Sequence, residues 1–336
     1  MLEKPDIPEN VLISSAQEAF NLPLKQVIFL PLGYDLNTAV YRLETQAGIA
    51  YFLKLRKGAF EEITVSLPYF LYTQSLKTII PPLVARNQQL WGEMGEYKLI
   101  LYPFIEGTNG YETHLDPEQW QVFGQAMNFI HTVQVPPTLL SQIPRETYSP
   151  HWRLRVKEFQ KQVGNETYSD SVSARLAAFI CQNQPSISQV VKRAGQLATS
   201  LQNNPVTFTL CHADIHPGNL HISSNRSVYI VDWDNPLLAP KEHDLNLIGG
   251  GGHSPWRSDQ EAELFYTGYG SSRIDPRALA YYRFERIVVD MAEFCTQLLL
   301  SSEGGEDREQ AYQYFTGLFE PGADIDLAIK NDMGII

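Results

Sequence analysis

The sequence predicts a bilobal α+β fold, with a β-rich N-terminal lobe over residues 1–103 and a mainly helical C-terminal lobe over residues 104–336. A chain of 336 residues is long for one hydrophobic core, which favours two lobes. Up to Pro103 the chain is dominated by short β-branched and aromatic runs separated by turn residues. Beyond it, Asp116-Pro117 and Asp275-Pro276 open segments with helical apolar spacing.

In the first lobe, Val11, Leu12, Ala16 and Phe20 recur at helical spacing between Pro8 and Asn21, and Val27 to Leu30 begins a strand. Residues Gly33 to Thr38 punctuate it before Ala39 to Glu44 starts a second strand, and Ala50 to Leu55 forms a third after a turn at Gln46 to Gly48. Ile63, Leu67, Phe70 and Leu71 give Phe60 to Tyr72 a helical face that Pro68 is expected to interrupt. Val84 to Leu90 and Tyr97 to Tyr102 read as further strands, split by a turn at Gly92 to Glu96.

The second lobe opens with a strong helix start: Asp116 as N-cap, Pro117 at the first helical position and Gln119 at the third. Trp120, Phe123, Met127 and Ile130 then form a core stripe, and His131 at its end reads as a packed or capping residue. Trp152 to Leu201 contains two or three helices, interrupted near Gly164 to Asp170 and at Pro185. Gly249 to Gly252 reads as a loop, and Asp275 to Leu300 as a long, mostly buried helix.

Twenty-six basic against 38 acidic residues give a net charge of −12, which disfavours nucleic acid or an anionic membrane as a partner and suits a cationic small molecule. Cys181, Cys211 and Cys295 are scattered and odd in number, so neither a disulfide framework nor a thiolate zinc site is expected, and a reducing compartment fits. The opening MLEKPDIPEN has no basic-then-apolar pattern, and no run approaches the roughly 18 apolar residues of a membrane span. The expectation is a cytoplasmic, unprocessed chain, monomeric or weakly dimeric.

The chemistry concentrates between Phe208 and Leu245. Two β-like runs, Val206 to Leu210 and Val228 to Val231, each end in polar residues: His212, Asp214 and Asn219 in the order H-x-D-x-x-x-x-N, then Asp232 and Asp234. An acid, an amide and a second acid suit a hydroxyl and a magnesium-bound phosphate. Phosphoryl transfer asks a protein mainly for positioning and charge cancellation. Asn219 and Asp232 offer the hard oxygen ligands Mg²⁺ takes, leaving Asp214 to accept the proton of an attacking hydroxyl. His212, Asp214, His216, Asp232 and Asp234 could also be redrawn as the two-metal site of a phosphohydrolase, which would leave Asn219 and Lys54 unexplained.

The H-x-D-x-x-x-x-N order followed by a strand and an Asp resembles the kinase catalytic loop and metal-binding Asp, and Val231-Asp232-Trp233-Asp234 stands where protein kinases carry Asp-Phe-Gly. On these residues the chain resembles the aminoglycoside phosphotransferases and their small-molecule kinase relatives acting on choline, homoserine, methylthioribose and fructosamine, which share the protein-kinase fold. Similarity through YFLKLR, LYPFIEGTNGY, YSPHWR, APKEHDLNLIGGGG and YYRFERIVVD covers nearly the whole chain and points to members acting on aminocyclitols such as spectinomycin.

The resemblance implies an ATP- and Mg²⁺-dependent O-phosphotransferase, with antibiotic resistance as its setting; a kinase of another small metabolite is the alternative. It implies Asp214 as catalytic base, Asn219 and Asp232 as metal ligands, Lys54 on the α and β phosphates, and a phosphate-covering hairpin with amides near Gly33, Asn37 and Thr38. Glu62, or its neighbour Glu61, would pair with Lys54. The hinge at Tyr102, Phe104 and Ile105 would present its backbone to adenine, Asp234 and Glu242 would meet the cationic acceptor, and His212 and Asp244 would support the catalytic loop.

Overall fold

In a computed structural model the chain is described over residues 4–32, 37–250, 256, 258–301 and 305–332. It divides into two compact units, and neither is one continuous stretch: the first comprises residues 1–115, 134–143 and 218–236, the second 116–133, 144–217 and 237–336. The single cut after Pro103 that the sequence suggests is therefore replaced by several crossings. The physical reason is a three-stranded sheet that pairs β6 (Gly107–Asn109) with β8 (Leu220–Ser223) and β9 (Val228–Ile230), drawing a late hairpin into the first unit.

The first unit begins with α1 (Glu9–Phe20) and holds an antiparallel sheet in the order β1 (Leu24–Leu30), β2 (Thr38–Thr45), β3 (Ala50–Lys57), β5 (Tyr97–Pro103), β4 (Gly92–Met94). Side chains alternate across a strand. In β3 this sends Leu53 and Leu55, both fully buried, into a core with Leu12, Ala16, Leu43, Leu99 and Leu101, and leaves Lys54 and Arg56 on the opposite face. Two expectations are corrected. Helix α2 (Ile63–Thr73) runs on through Pro68, whose ring is buried with Ile63, Val65, Leu67 and Leu71, so packing outweighs the missing amide. Val84 to Leu90 forms no strand, because Gln88 at φ +67° and a turn closed by Ala85 and Gln89 break the extended run before β4. Helix α4 (Pro137–Leu140) completes the unit and packs on α2.

In the second unit, α3 (Pro117–Thr132) starts with the expected capping box between Asp116 and Gln119, and Trp120, Phe123, Met127 and Ile130 are all buried. The region after Trp152 resolves into α5 (His151–Asn165), α6 (Ser171–Gln182) and α7 (Gln184–Asn203), with Pro185 inside the first turn of α7, where its absent amide is harmless. These pack on α10 (Pro276–Leu299), whose N-cap Asp275 accepts the Arg277 and Ala278 amides and whose buried face carries Ala278, Tyr281, Phe284, Val288, Met291 and Cys295. A two-stranded ribbon of β7 (Thr209–Cys211) and β10 (Leu237–Ala239), the short α8 (Glu242–Leu245), α9 (Asp259–Tyr269), α11 (Gly305–Gly317) and α12 (Asp324–Asp332) complete it. Among the described residues no helix is long and apolar enough to cross a membrane.

Helices α3 and α9 meet backbone to backbone. A Cβ on Gly124 would lie 2.1 Å from the Phe265 carbonyl oxygen, and one on Gly268 would lie 2.0 Å from that of Gln121. Both neighbours are main chain, so neither can swing aside. Gly268→Ala is expected to lower unfolding free energy by roughly 1–3 kcal/mol through overpacking. The midpoint of urea unfolding checks it against Gly164→Ala, where a Cβ meets nothing within 4 Å.

Candidate active site

The sequence-derived residues fall into two groups, one in each unit, and each has its own geometry. In the first unit Lys54 Nζ lies 2.8 Å from both carboxylate oxygens of Asp234 and 3.2 Å from Asp232 Oδ1. Arg56 Nη1 reaches Asp234 Oδ2 at 2.8 Å. Burial alone would lower the Lys54 pKa, but the carboxylates of Asp232 and Asp234 beside it hold the ammonium above its ordinary range. Lys54 is thus a fixed cation with a largely buried stem and two acids at its head.

This arrangement corrects the expected partner of Lys54. Glu61 and Glu62 are exposed, Glu62 serves as the N-cap position of α2, and neither makes a side-chain contact with Lys54. It also corrects Asp234, whose carboxylate is committed to two cations and is not free to receive an acceptor's ammonium group. Arg56 was not foreseen, although the Lys54-x-Arg56 spacing on one strand face is legible in the sequence.

Asn219 and Asp232 sit at the matched ends of β8 and β9. Leu220 is paired with Ile230, and the Val231 amide donates to the Asn219 carbonyl at 3.0 Å. Asn219 is buried, whereas the Asp232 side chain is half exposed. Asp232 has φ +63°, and buried Trp233 donates its indole N–H to the Ile230 carbonyl at 3.2 Å, anchoring the turn that displays the acid. An amide oxygen and a carboxylate on rigid strand ends are the hard donor set that suits Mg²⁺.

The remaining nucleotide candidates belong to the same unit. Thr38 opens β2 opposite Arg56, and the Asn37 carbonyl accepts the Lys57 amide at 2.8 Å; Gly33 lies outside the described residues. At the hinge, Tyr102 is the last residue but one of β5 and pairs with Phe52, the Phe104 amide donates to Ala50 O at 3.3 Å, and the Ile105 carbonyl accepts from His221 Nε2 at 2.9 Å. His221 is half-buried at that bond, and burial lowers its pKa.

In the second unit the loop after β7 is organised by Asp244. Its Oδ2 accepts the His212 amide and its Oδ1 the Ala213 amide, each at 2.8 Å. Ala213 is thereby held at φ +69°, a left-handed conformation that disfavours any residue with a Cβ. His131 Nε2 lies 3.1 Å from Asp244 Oδ2, and His131 Nδ1 lies 2.8 Å from the Tyr269 hydroxyl. Burial pushes the Asp244 carboxyl up, but the His131 hydrogen bond and the neighbouring imidazoles more than offset it, so the group stays below its usual pKa. Asp244, expected together with His212 to support the loop, thus accepts the amides of both His212 and Ala213. His131 joins the knot as a bonded core residue.

Among the described residues, the ligand atoms of His131, Cys211 and Asp244 lie within 4.8 Å of one another. They form a hydrogen-bonded core and not a metal set: both Asp244 oxygens and both imidazole nitrogens are engaged, and burial drives the Cys211 thiol far from the thiolate that a metal needs.

Asp214 follows this loop, half-buried, with its amide donating to His212 Nδ1 at 3.3 Å. His216 Nε2 lies 3.6 Å from Oδ2 and Arg286 Nη1 3.7 Å from Oδ1. Burial raises the carboxyl's pKa, but His216 first, then Arg286 and His212, bring it down to about 2. Glu242 corrects another expectation: it is buried at 3% exposure, and its Oε1 accepts the Asp275 amide at 2.8 Å, so it ties α8 to the start of α10 and does not face an open pocket.

Residues 30–282 match the phosphotransferase enzyme family. A solved structure of spectinomycin phosphotransferase, APH(9)-Ia, in complex with ADP and spectinomycin is 33% identical, with a TM-score of 0.91 over 98% of this chain and 99% of that one. An aminoglycoside phosphotransferase from Alicyclobacillus acidocaldarius is 12% identical, with a TM-score of 0.62 over 99% and 97% of the two chains. Choline kinase LicA from Streptococcus pneumoniae is 13% identical, with a TM-score of 0.56 over 97% and 98%. These last two likenesses concern the fold. No curated protein matches.

The depressed Asp214 pKa has a sign that can be tested. Folded at about 2 against an unfolded value of 3.8, the group contributes stability above pH 3.8 that disappears as pH falls toward 2. Carboxyl NMR titration of the wild type is expected to show that low midpoint, and His216→Asn to move it upward. An acid limb of activity near neutrality then belongs to another group.

Proposed function

The chain belongs to the phosphotransferase enzyme family and is a small-molecule kinase that binds nucleotide; from that premise we propose that it transfers the γ-phosphoryl group of ATP to a hydroxyl of a cationic aminocyclitol such as spectinomycin. The observation that carries the substrate is the end-to-end likeness, 33% identical and at a TM-score of 0.91, to an enzyme solved with spectinomycin and ADP. The net charge of −12 agrees with a cationic acceptor.

In the proposed reaction the Asp214 carboxylate, ionised at neutral pH, accepts a hydrogen bond from the acceptor hydroxyl and aims its oxygen at the γ-phosphorus. The new O–P bond forms as the bond to the β–γ bridging oxygen breaks. The hydroxyl proton passes to Asp214 and, because that group is a weak base, on to solvent; ADP leaves. Such a base suits a loose transition state in which little proton transfer precedes bond formation. Lys54 binds α- and β-phosphate oxygens, exchanging its longer bond to Asp232 for bonds to the nucleotide and keeping its pair with Asp234. Asp232 and Asn219 would hold Mg²⁺, which when bound neutralises phosphate charge. Asp234, clamped to Lys54 and Arg56, sets the position of that lysine. The cytosol supplies the ATP.

Release of ADP from Mg-ATP, measured across spectinomycin, kanamycin, choline and methylthioribose, tests the substrate. Spectinomycin is expected to give the largest kcat/KM, with an acceptor KM that rises with salt, since charge attraction is screened over about 10 Å at roughly 0.1 M ionic strength. Turnover with choline or methylthioribose and none with spectinomycin would leave the kinase standing and remove the aminocyclitol. Asp214→Asn is expected to lower kcat by roughly 10²–10⁴ with little change in nucleotide affinity. Lys54→Ala should raise KM for ATP more than KM for the acceptor, and Asp234→Ala should follow the same pattern.

A further inference from the structure

The hydrogen bonds around Asp244 extend one step beyond the loop they hold, and we propose that Tyr269 is a positioning residue for phosphoryl transfer, acting through His131 and Asp244 on the backbone that aims Asp214. The inference rests on the reading of Asp214 as the group that receives the acceptor hydroxyl.

Tyr269 is the last residue of α9 and is buried at 2% exposure. Its hydroxyl meets His131 Nδ1 at 2.8 Å, and its ring stands edge-on to the imidazole at a centroid separation of 5.7 Å. Donation by the hydroxyl to Nδ1 leaves the ring proton on Nε2, which points at Asp244 Oδ2. Asp244 then has three donors fixed around one carboxylate: the imidazole N–H and the amides of His212 and Ala213. Without Tyr269 the other tautomer is open to His131, and that tautomer turns a lone pair toward a carboxylate. Repulsion there would move Asp244, and with it the two amides that keep Ala213 at φ +69° one residue before Asp214.

The distance is set by the main chain. Gly124 and Gly268, which admit no Cβ at the α3–α9 contact, bring the two helices close enough for a tyrosine on one to reach a histidine on the other. Tyr269 also lies face to face with Phe265 at 5.7 Å and edge to face with Tyr266 at 6.2 Å, so its ring is held by packing that does not need the hydroxyl. Removing only the oxygen therefore isolates its effect on His131.

The decisive variant is Tyr269→Phe, studied beside Asp214→Asn. With Mg-ATP and spectinomycin, or by slow ATP hydrolysis if spectinomycin is no acceptor, Tyr269→Phe is expected to reduce kcat about tenfold, as a small displacement of a catalytic group does, while both KM values stay within about twofold. Nitrogen NMR of His131 is expected to report the Nε2–H tautomer in the wild type and a mixture in the variant, and exchange of the Ala213 amide to accelerate while α10 amides do not. In a His131→Gln background the penalty of Tyr269→Phe should vanish, as non-additivity requires of two residues on one path. An unchanged kcat, a loss confined to KM, or an additive penalty in the His131→Gln background overturns the positioning role while Asp214→Asn remains inactive. An active Asp214→Asn overturns the reading beneath it instead.

Discussion

One buried carboxylate, Asp244, decides the conformation of the loop that leads into Asp214, the proposed base. It is 1% exposed and accepts the amides of two consecutive residues, the second of which is forced into a left-handed conformation. A left-handed residue with a Cβ lies roughly 1–2 kcal/mol above its ordinary conformation. Two amide bonds to an ionised acceptor are of the right size to hold it there. The arrangement explains why an anion is tolerated in the core of this unit: it is surrounded by donors before any substrate arrives, so its desolvation is compensated by groups whose positions it fixes in return.

The first unit solves a related problem with the opposite sign. Lys54, set in a strand whose other face buries Leu53 and Leu55, keeps its charge because Asp232 and Asp234 stand at its head. A nucleotide phosphate would meet a cation already aimed by its neighbours. Asp234 is shared between Lys54 and Arg56, so it serves as a hub for two cations.

What could be read from the sequence was what local chemistry dictates. The caps at Asp116 and Asp275 needed only their own few residues, and the structure has both. The family-specific order from His212 to Asp232 likewise lies within a short stretch. Partners that depend on distant parts of the chain were less legible. Lys54 meets Asp234, 180 residues away, and not the nearer Glu62. Tyr269 meets His131 across 138 residues, through two glycines whose contact no periodicity announces. Glu242 looked available as an acid beside a site, yet its neighbour on the Asp275 amide makes it part of a helix junction. Val84 to Leu90 has strand-like composition, but a turn about Gln88 overrides it.

The interleaved course of the chain also bears on how the protein is made. The first unit takes its last hairpin from residues 218–236, after much of the second unit has been synthesised. Strand β6 emerges from the ribosome more than a hundred residues before its partner β8, and an unpaired edge is prone to wrong partners in the interval. Translation speed and chaperone occupancy during that interval therefore become part of what governs yield. A fragment ended at the apparent lobe boundary would keep the five-stranded sheet but lose all three strands of the second sheet, with Asn219 and Asp232 at its strand ends.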